Sequence, residues 1–244
     1  MDSSNIKIFS PTGNTKRIAD IVMSNLLDKN ISNMENICII GCPIYKGRVP
    51  QPYMQWLNDH PFSNKRVIIV ETFGNAHIDD ALLELHDWAI DHNNQVVGAL
   101  AIASSHSYST KEHPIAIHHP NSNELNELDS FIEAVAVKLS KDQNNSLTIP
   151  GHFPYKKSPV STPIQPLRDA ERCCDCGLCQ EVCPQQNSDI LGLDGIVIDQ
   201  CLMCCACIQH CPSEAISYEK TEFNAKIEML REVCKTDKTS LFIY

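Results

Sequence analysis

Eight cysteines stand in two runs that repeat each other. Cys173, Cys176, Cys179 and Cys183, followed by Pro184, recur as Cys201, Cys204, Cys207 and Cys211, followed by Pro212, each shifted by 28 residues. A constant offset over five positions implies two copies of one structural unit. Both runs read C-x2-C-x2-C-x3-C-P. Thiolates at that spacing are iron ligands: three on a tight loop cup one [4Fe–4S] cubane, and the fourth, opening a short helix, reaches the other cluster. The proline after it suits the first turn of that helix. On this reading Cys173, Cys176, Cys179 and Cys211 hold one cluster, and Cys201, Cys204, Cys207 and Cys183 hold the other. Zinc is the competing chemistry, but four-cysteine zinc sites take two close pairs across a longer spacer. Cys174 and Cys205 also fall inside the runs and, like Cys234, read as small buried hydrophobes.

A second group of residues suits phosphate. Ser10-Pro11-Thr12-Gly13-Asn14-Thr15-Lys16 lies between a strand-like and a helix-like segment. It places hydroxyls, a side-chain amide and a glycine at a helix N-terminus, where backbone N–H groups and the helix dipole favour an anion. The spacing is neither that of a Walker A loop nor G-x-G-x-x-G. It resembles the FMN-phosphate loop of flavodoxins, [ST]-x-T-G-x-T. Two further turns follow strand-like runs: Pro43 to Pro50, with Tyr45, Gly47 and Arg48, and Thr72-Phe73-Gly74-Asn75. In an open parallel sheet such turns converge beyond the carboxyl ends of the strands. Tyr45 is the best candidate to stack on a flavin ring, with Tyr108 second.

These residues need a scaffold. Up to about residue 140, short β-branched runs (Ile6–Phe9, Ile37–Ile40, Val67–Val70, Val96–Ile102) alternate with amphipathic segments near Thr15–Asp28, Gln51–Asn58, Asp79–Asn93 and Asn123–Leu139. That alternation predicts an α/β fold with a parallel sheet covered on both faces. The expected division is a flavodoxin-like FMN-binding domain over 1–143, a proline-rich linker over 144–168 and a small α+β two-cluster domain over 169–220. A helical tail over 221–244 ends the chain, with its helix at Asn224–Val233. Phe153 and Tyr155 are unusual for a free linker and suggest that part of it packs on a domain.

Thirteen cysteines with no basic, signal-like start point to metal or redox chemistry in a reducing, cytoplasmic setting. No stretch approaches the roughly 20 apolar residues that span a bilayer. The net charge of −10 argues against nucleic-acid binding. Residues 169–220 hold nine acidic and two basic groups, a local charge of −7 that should disfavour cluster reduction.

The whole chain resembles the flavodoxin–ferredoxin fusion proteins of anaerobic bacteria and archaea. The matching segments are the Ser10–Thr15 loop, Pro43-x-Tyr45-x-Gly47-Arg48-Val49-Pro50, Gly74-Asn75 with Asp79 to Leu85, and His106-Ser107-Tyr108-Ser109. Pro150-Gly151-x-x-Pro154-Tyr155 and the clostridial-type cysteine runs complete the match. The resemblance implies FMN, two [4Fe–4S] clusters and electron transfer, with redox proteins as donor and acceptor. Three departures stand out. Only Lys29–Asn36 separates the first helix from the next strand, so the second strand should be missing or vestigial. Ala76 and His118-His119-Pro120 replace an arginine and a Gly-Arg-Pro, which implies weaker FMN binding or a shifted flavin potential.

His106, His113, His118 and His119 gather between Ala103 and Pro120. No i, i+4 pairing supports a metal site there, and the expectation is a loop over the flavin with His106 near the ring. The leading functional expectation is an electron carrier relaying between FMN and the clusters. The alternative is an FMN-dependent reductase of an unidentified acceptor, with His106 or Tyr108 as proton donor. A redox sensor that binds a regulator ranks third.

Overall fold

The computed structural model describes residues 5–29, 31–141, 146–158, 163–164, 166–185 and 201–244. Pro159 and the stretch 186–200 between the cysteine runs, with Asp189, Asp194 and Asp199, lie outside the described residues.

Four parallel strands form the centre of the fold: β1 (Ile6–Ile8), β2 (Ile37–Pro43), β3 (Arg66–Phe73) and β4 (Gln95–Ala103), in that spatial order. β2, β3 and β4 are buried along nearly their whole length, which is why they read as continuous apolar runs. Alternate residues serve opposite faces. Cys38, Ile40, Val67 and Ile69 meet helices α2 (Gln51–Asp59) and α3 (Ala81–Asp91) through Tyr53, Leu57, Leu82, Leu85 and Trp88. Ile37, Ile39, Ile68 and Val70 meet α1 (Asn14–Leu27) and α4 (Ser122–Ser140) through Ile18, Val22, Leu26, Phe131 and Val135. Helix α4 starts at a capping box in which Asn121 and Glu124 satisfy each other's backbone amides.

The steps β1 to β2, β2 to β3 and β3 to β4 all run the same way across the sheet. Yet α1 covers one face while α2 and α3 cover the other. The first crossover therefore has the opposite hand to the next two, against the strong preference for one hand. A doubly wound sheet avoids that conflict by sending α1 to an outer edge strand before returning. Here Met34–Asn36 forms a single 3-10 turn, and no strand occupies that place among the described residues. The short segment between α1 and β2 leaves little room for such a strand.

The opposite edge holds a strand that the sequence reading of a helical tail omitted. After helix α7 (Lys220–Val233), β7 (Leu241–Ile243) pairs antiparallel with β4 and makes a five-stranded, parallel-dominated sheet. Three residues of ordinary aliphatic and aromatic type carry no period that could mark them as a strand; the free edge of β4 selects them. The cysteine-rich region has its own hairpin, β5 (Pro166–Arg168) against β6 (Ile216–Tyr218), and two one-turn helices, α5 (Leu178–Glu181) and α6 (Ala206–Gln209). Among the described residues no helix is long and apolar enough to cross a membrane.

Of the expected linker, residues 146–158 lie on the sheet domain, while Ile164 and β5 pack in the cysteine-rich region. Ile149 is buried in the α2/α3 core. The amides of Lys156 and His152 donate to the Asp80 carboxylate at 2.6 and 2.9 Å, and hold its pKa below the usual carboxylate range. Tyr155 Oη donates to Asp87 at 2.7 Å.

Candidate functional site

The two cysteine runs share one backbone course. Asp175 and Gly177 have φ of 52° and 74°, and their counterparts 28 positions on, Met203 and Cys205, have φ of 53° and 63°. These left-handed residues turn each run back on itself, so that α5 and α6 begin at matching places. The turn also aims amides at sulfur: Asp175 N lies 3.4 Å from Cys173 Sγ, and Met203 N lies 3.4 Å from Cys201 Sγ. Ala215 N reaches Cys211 Sγ at 3.2 Å. Cys205 occupies the position of Gly177, and Cys174 that of Leu202, which explains why the two extra cysteines are not equivalent. Cys205 is buried with Ile164, Met203 and Tyr218, as a small apolar residue would be; Cys174 is exposed instead.

The cysteines line two recesses. One, of about 290 Å³ with its open mouth included, is bordered by Cys173, Cys174, Cys176, Cys179 and Cys211. The other, of about 420 Å³ on the same measure, is bordered by Cys183, Cys201, Cys204, Cys205 and Cys207. The last cysteine of each run thus sits with the first three of the other. Among the described residues no three cysteine sulfurs lie within 4.8 Å of one another. Burial pushes the free thiols of Cys204 and Cys207 up to about 11 and about 12. At Cys211 burial acts in the same direction, but hydrogen bonds from Ser213 and backbone amides outweigh it and hold the thiol below its ordinary value.

At the carboxyl edge of the sheet, three turns meet. Gly13, with φ of 85°, caps α1, and the Lys16 amide donates to Ser10 Oγ at 3.1 Å. The amides of Asn14 and Thr15 have no acceptor among the described residues. Thr12 lies at the half-buried tip of the same turn. The Thr15 and Thr72 hydroxyls bond each other at 2.7 Å, and Asn14 Nδ2 donates to Ser105 O at 3.1 Å. Ser105 was not singled out from the sequence; its position just past the end of β4 is the only signal it carries. His106 rests against Gly74, where an added Cβ would stand 2.3 Å from the imidazole. Burial lowers the His106 pKa to about 4, and its Nδ1 accepts the Tyr108 amide at 3.0 Å.

Tyr45 and Tyr108 lie near the cysteines of the second recess, Tyr108 packing on the cluster of Ile164, Met203, Cys205 and Tyr218. A tight turn with φ of 56° at Lys46 and 76° at Gly47 presents Tyr45. Its phenol is pushed well up by burial and by the neighbouring thiols of Cys204 and Cys205. Tyr108 is also raised, by burial and then by Cys205, Cys201 and Cys204. It packs on Phe223 at 5.2 Å between ring centroids, and next to it Gln209 Nε2 donates to Ser107 O at 2.8 Å.

Several residues expected at the cofactor are engaged elsewhere. Strand alternation sends Thr72 toward α1 but Phe73 into the α2/α3 core, where it is 2% exposed. Arg48 makes a two-point ion pair with Glu84, at 2.8 Å on each arm, and donates to Lys156 O. The Asn75 side chain bonds Cys234 O at 3.0 Å and the Lys238 amide at 2.7 Å. Gly47 lies where a Cβ would meet the Asp79 carboxylate at 2.2 Å, and Pro43 ends β2 half-buried. These five therefore shape the scaffold, while Ser10, Thr12, Gly13, Asn14, Thr15, Thr72, Gly74, Tyr45, His106 and Tyr108 gather at the edge itself.

The histidine-rich loop does not act as one group. His106 turns to Gly74, and His113 lies 3.7 Å from Glu228. His118 and His119 instead meet Asp237 from the segment before β7.

No family model, no curated protein and no solved structure matches this chain.

Proposed function

We propose that the chain is an electron-transfer protein that carries two [4Fe–4S] clusters beside a sheet domain with a flavodoxin-like phosphate loop, and that it holds FMN there. The distribution of eight cysteines over two recesses, with each run lending its last cysteine to the other, carries the reading. Such crossed ligation belongs to two-cluster sites. A single tetrahedral zinc, with Zn–S of about 2.3 Å, would draw thiolates to about 3.8 Å from one another. Among the described residues no three cysteine sulfurs form such a close group.

Bound clusters supply one-electron exchange, and bound FMN accepts one or two electrons. The chain's own residues then have separable tasks. The amides of Asp175, Met203 and Ala215 direct N–H groups at ligand sulfur, which stabilises the more negative, reduced state. The Asn14 and Thr15 amides and the Ser10 and Thr12 hydroxyls provide donors for a phosphate at the start of α1. Tyr45 and Tyr108 are buried phenols close enough to Cys204 and Cys205 to feel their charge, so they link that edge to the second cysteine recess. Redox proteins are the expected donor and acceptor.

The reductase alternative needs an acid at the edge. His106 stays neutral at ordinary pH and Tyr108 is shifted upward, so neither is poised to give a proton. That favours a carrier. A second reading, clusters without flavin, draws on one observation: His106 lies on Gly74, and Arg48 and Asn75 are engaged in the scaffold.

The deciding measurement is iron, sulfide and flavin content after anaerobic purification, with low-temperature EPR of the reduced protein. About eight irons, a spectrum of two interacting [4Fe–4S] clusters and about one FMN are expected. Iron without flavin establishes the second reading, and zinc in place of iron overturns both.

A further inference from the structure

Three side chains from distant parts of the chain converge beside the start of α4. His118 and His119 end the loop after β4, and Asp237 lies between α7 and β7. One ligand atom from each lies within 4.8 Å of the other two. Both Nε2 atoms stand 3.2 Å from the same oxygen, Asp237 Oδ1. Around tetrahedral zinc, nitrogen and oxygen donors at about 2.0–2.1 Å are separated by about 3.3 Å. Both nitrogen–oxygen spacings match that value.

The surroundings orient the central ligand. The His119 side chain is 1% exposed, and its Nδ1 lies 2.7 Å from Glu124 Oε2. Glu124 already accepts the Asn121 amide at 2.7 Å and the Ser240 hydroxyl at 2.9 Å, so the imidazole is the donor in this contact. With Nδ1–H committed to Glu124, Nε2 is the ring atom left to face Asp237 Oδ1, and either a proton or a metal ion can stand between them. A carboxylate behind a histidine, fixing its tautomer, is the usual support for a metal-bound imidazole.

We propose that His118, His119 and Asp237 bind an exchangeable divalent transition-metal ion of the zinc class, with Glu124 as the positioning residue behind His119. Two imidazoles and one carboxylate favour zinc, copper or nickel over magnesium or calcium. Three protein ligands leave a coordination position for water. His118 and Asp237 are 58% and 60% exposed, so the ion enters and leaves from solvent. Its consequence is mechanical: the ion ties the segment that carries β7 to the loop that precedes α4. The site uses no cysteine and stands apart from the electron-transfer reading.

The competing occupant is a proton, which would make His119 an imidazolium between two carboxylates. The test uses the full chain with its native iron complement, stripped by a chelator and titrated with zinc chloride by calorimetry. Zinc K-edge EXAFS follows. The expected result is one zinc per chain in a nitrogen and oxygen shell near 2.0 Å, with no sulfur near 2.3 Å. Affinity should fall at least tenfold in both His118→Ala and Asp237→Asn, with iron content unchanged. Both positions are exposed, so these variants should fold. Failure to bind one zinc, a sulfur shell, or a nitrogen and oxygen shell that both substitutions leave as tight would overturn the proposal.

Discussion

His106 shows how burial alone decides a residue's chemistry. Desolvation places its pKa at about 4, below the ordinary 6.5. Between those values the unfolded chain takes up a proton that the folded chain refuses. The folded state therefore loses stability as pH falls through that window, by at most about 3 kcal/mol, and keeps it above pH 6.5. His106→Gln should remove that dependence, so the gap in urea midpoint between pH 7 and pH 4.5 should narrow relative to the wild type. An unchanged gap would assign the acid sensitivity to other groups. Burial acts with the opposite sign on Glu71, whose carboxyl is pushed well up by complete burial and then by Glu84, so its linkage costs stability as pH rises. Its Oε1 meets the Cys42 thiol at 3.8 Å, and its Oε2 has no hydrogen-bond partner among the described residues. Cys205 is a different case: a left-handed conformation that suits glycine is imposed by the repeat, and burial of its thiol beside Tyr218 offsets the strain.

At the scale of elements, the contact between β4 and α4 is a close-packed constraint on the sheet domain. Gly98 lies under α4, and a Cβ added there would stand 2.7 Å from Val135 Cγ2 and 2.9 Å from Phe131 Cζ. Gly98→Ala overpacks that interface and should lower stability by about 1–3 kcal/mol in denaturant unfolding. A cost near zero would mean that α4 slides away freely. Phe131 also meets Phe242 of β7, with ring centroids 6.1 Å apart, so α4 and β7 share a core. The edge strand has a further role. Unpaired, the long apolar β4 would be an exposed sheet edge, and β7 covers it.

At the scale of the whole molecule, the important relation is between the cysteine region and the sheet domain. The recess of Cys183, Cys201, Cys204 and Cys207 is bordered by Tyr218, and its cysteines act electrostatically on Tyr45 and Tyr108 at the sheet edge. If it holds the cluster that exchanges electrons with the sheet-domain cofactor, Cys204→Ala should slow flavin reduction by at least tenfold in stopped-flow. Cys176→Ala, in the other recess, should have the smaller effect. Equal effects would place the exchange elsewhere. The segment over 146–158 is itself held to the sheet domain by its contacts with Asp80, Asp87 and Arg48.

The parts legible in the sequence were those written in local periodicity. The apolar runs of β2, β3 and β4 and the helical faces of α1 to α4 lie within a few residues of where the pattern put them. The 28-residue offset extends from the cysteines to the backbone angles at Asp175, Gly177, Met203 and Cys205. Local sequence could not say which way a side chain would be used once other elements arrived. Phe73 and Thr72 are neighbours in one turn, and only the pleat of β3 sends one to the core and the other to Thr15. Arg48 and Asn75 have the right chemistry for a cofactor, but Glu84 and the segment after α7 compete for them and win by proximity. The pairing of β7 with β4 and the meeting of His118 and His119 with Asp237 join positions more than a hundred residues apart. Such contacts have no spacing to read: chain topology brings them together, and the free energy of burying the sheet edge keeps them there.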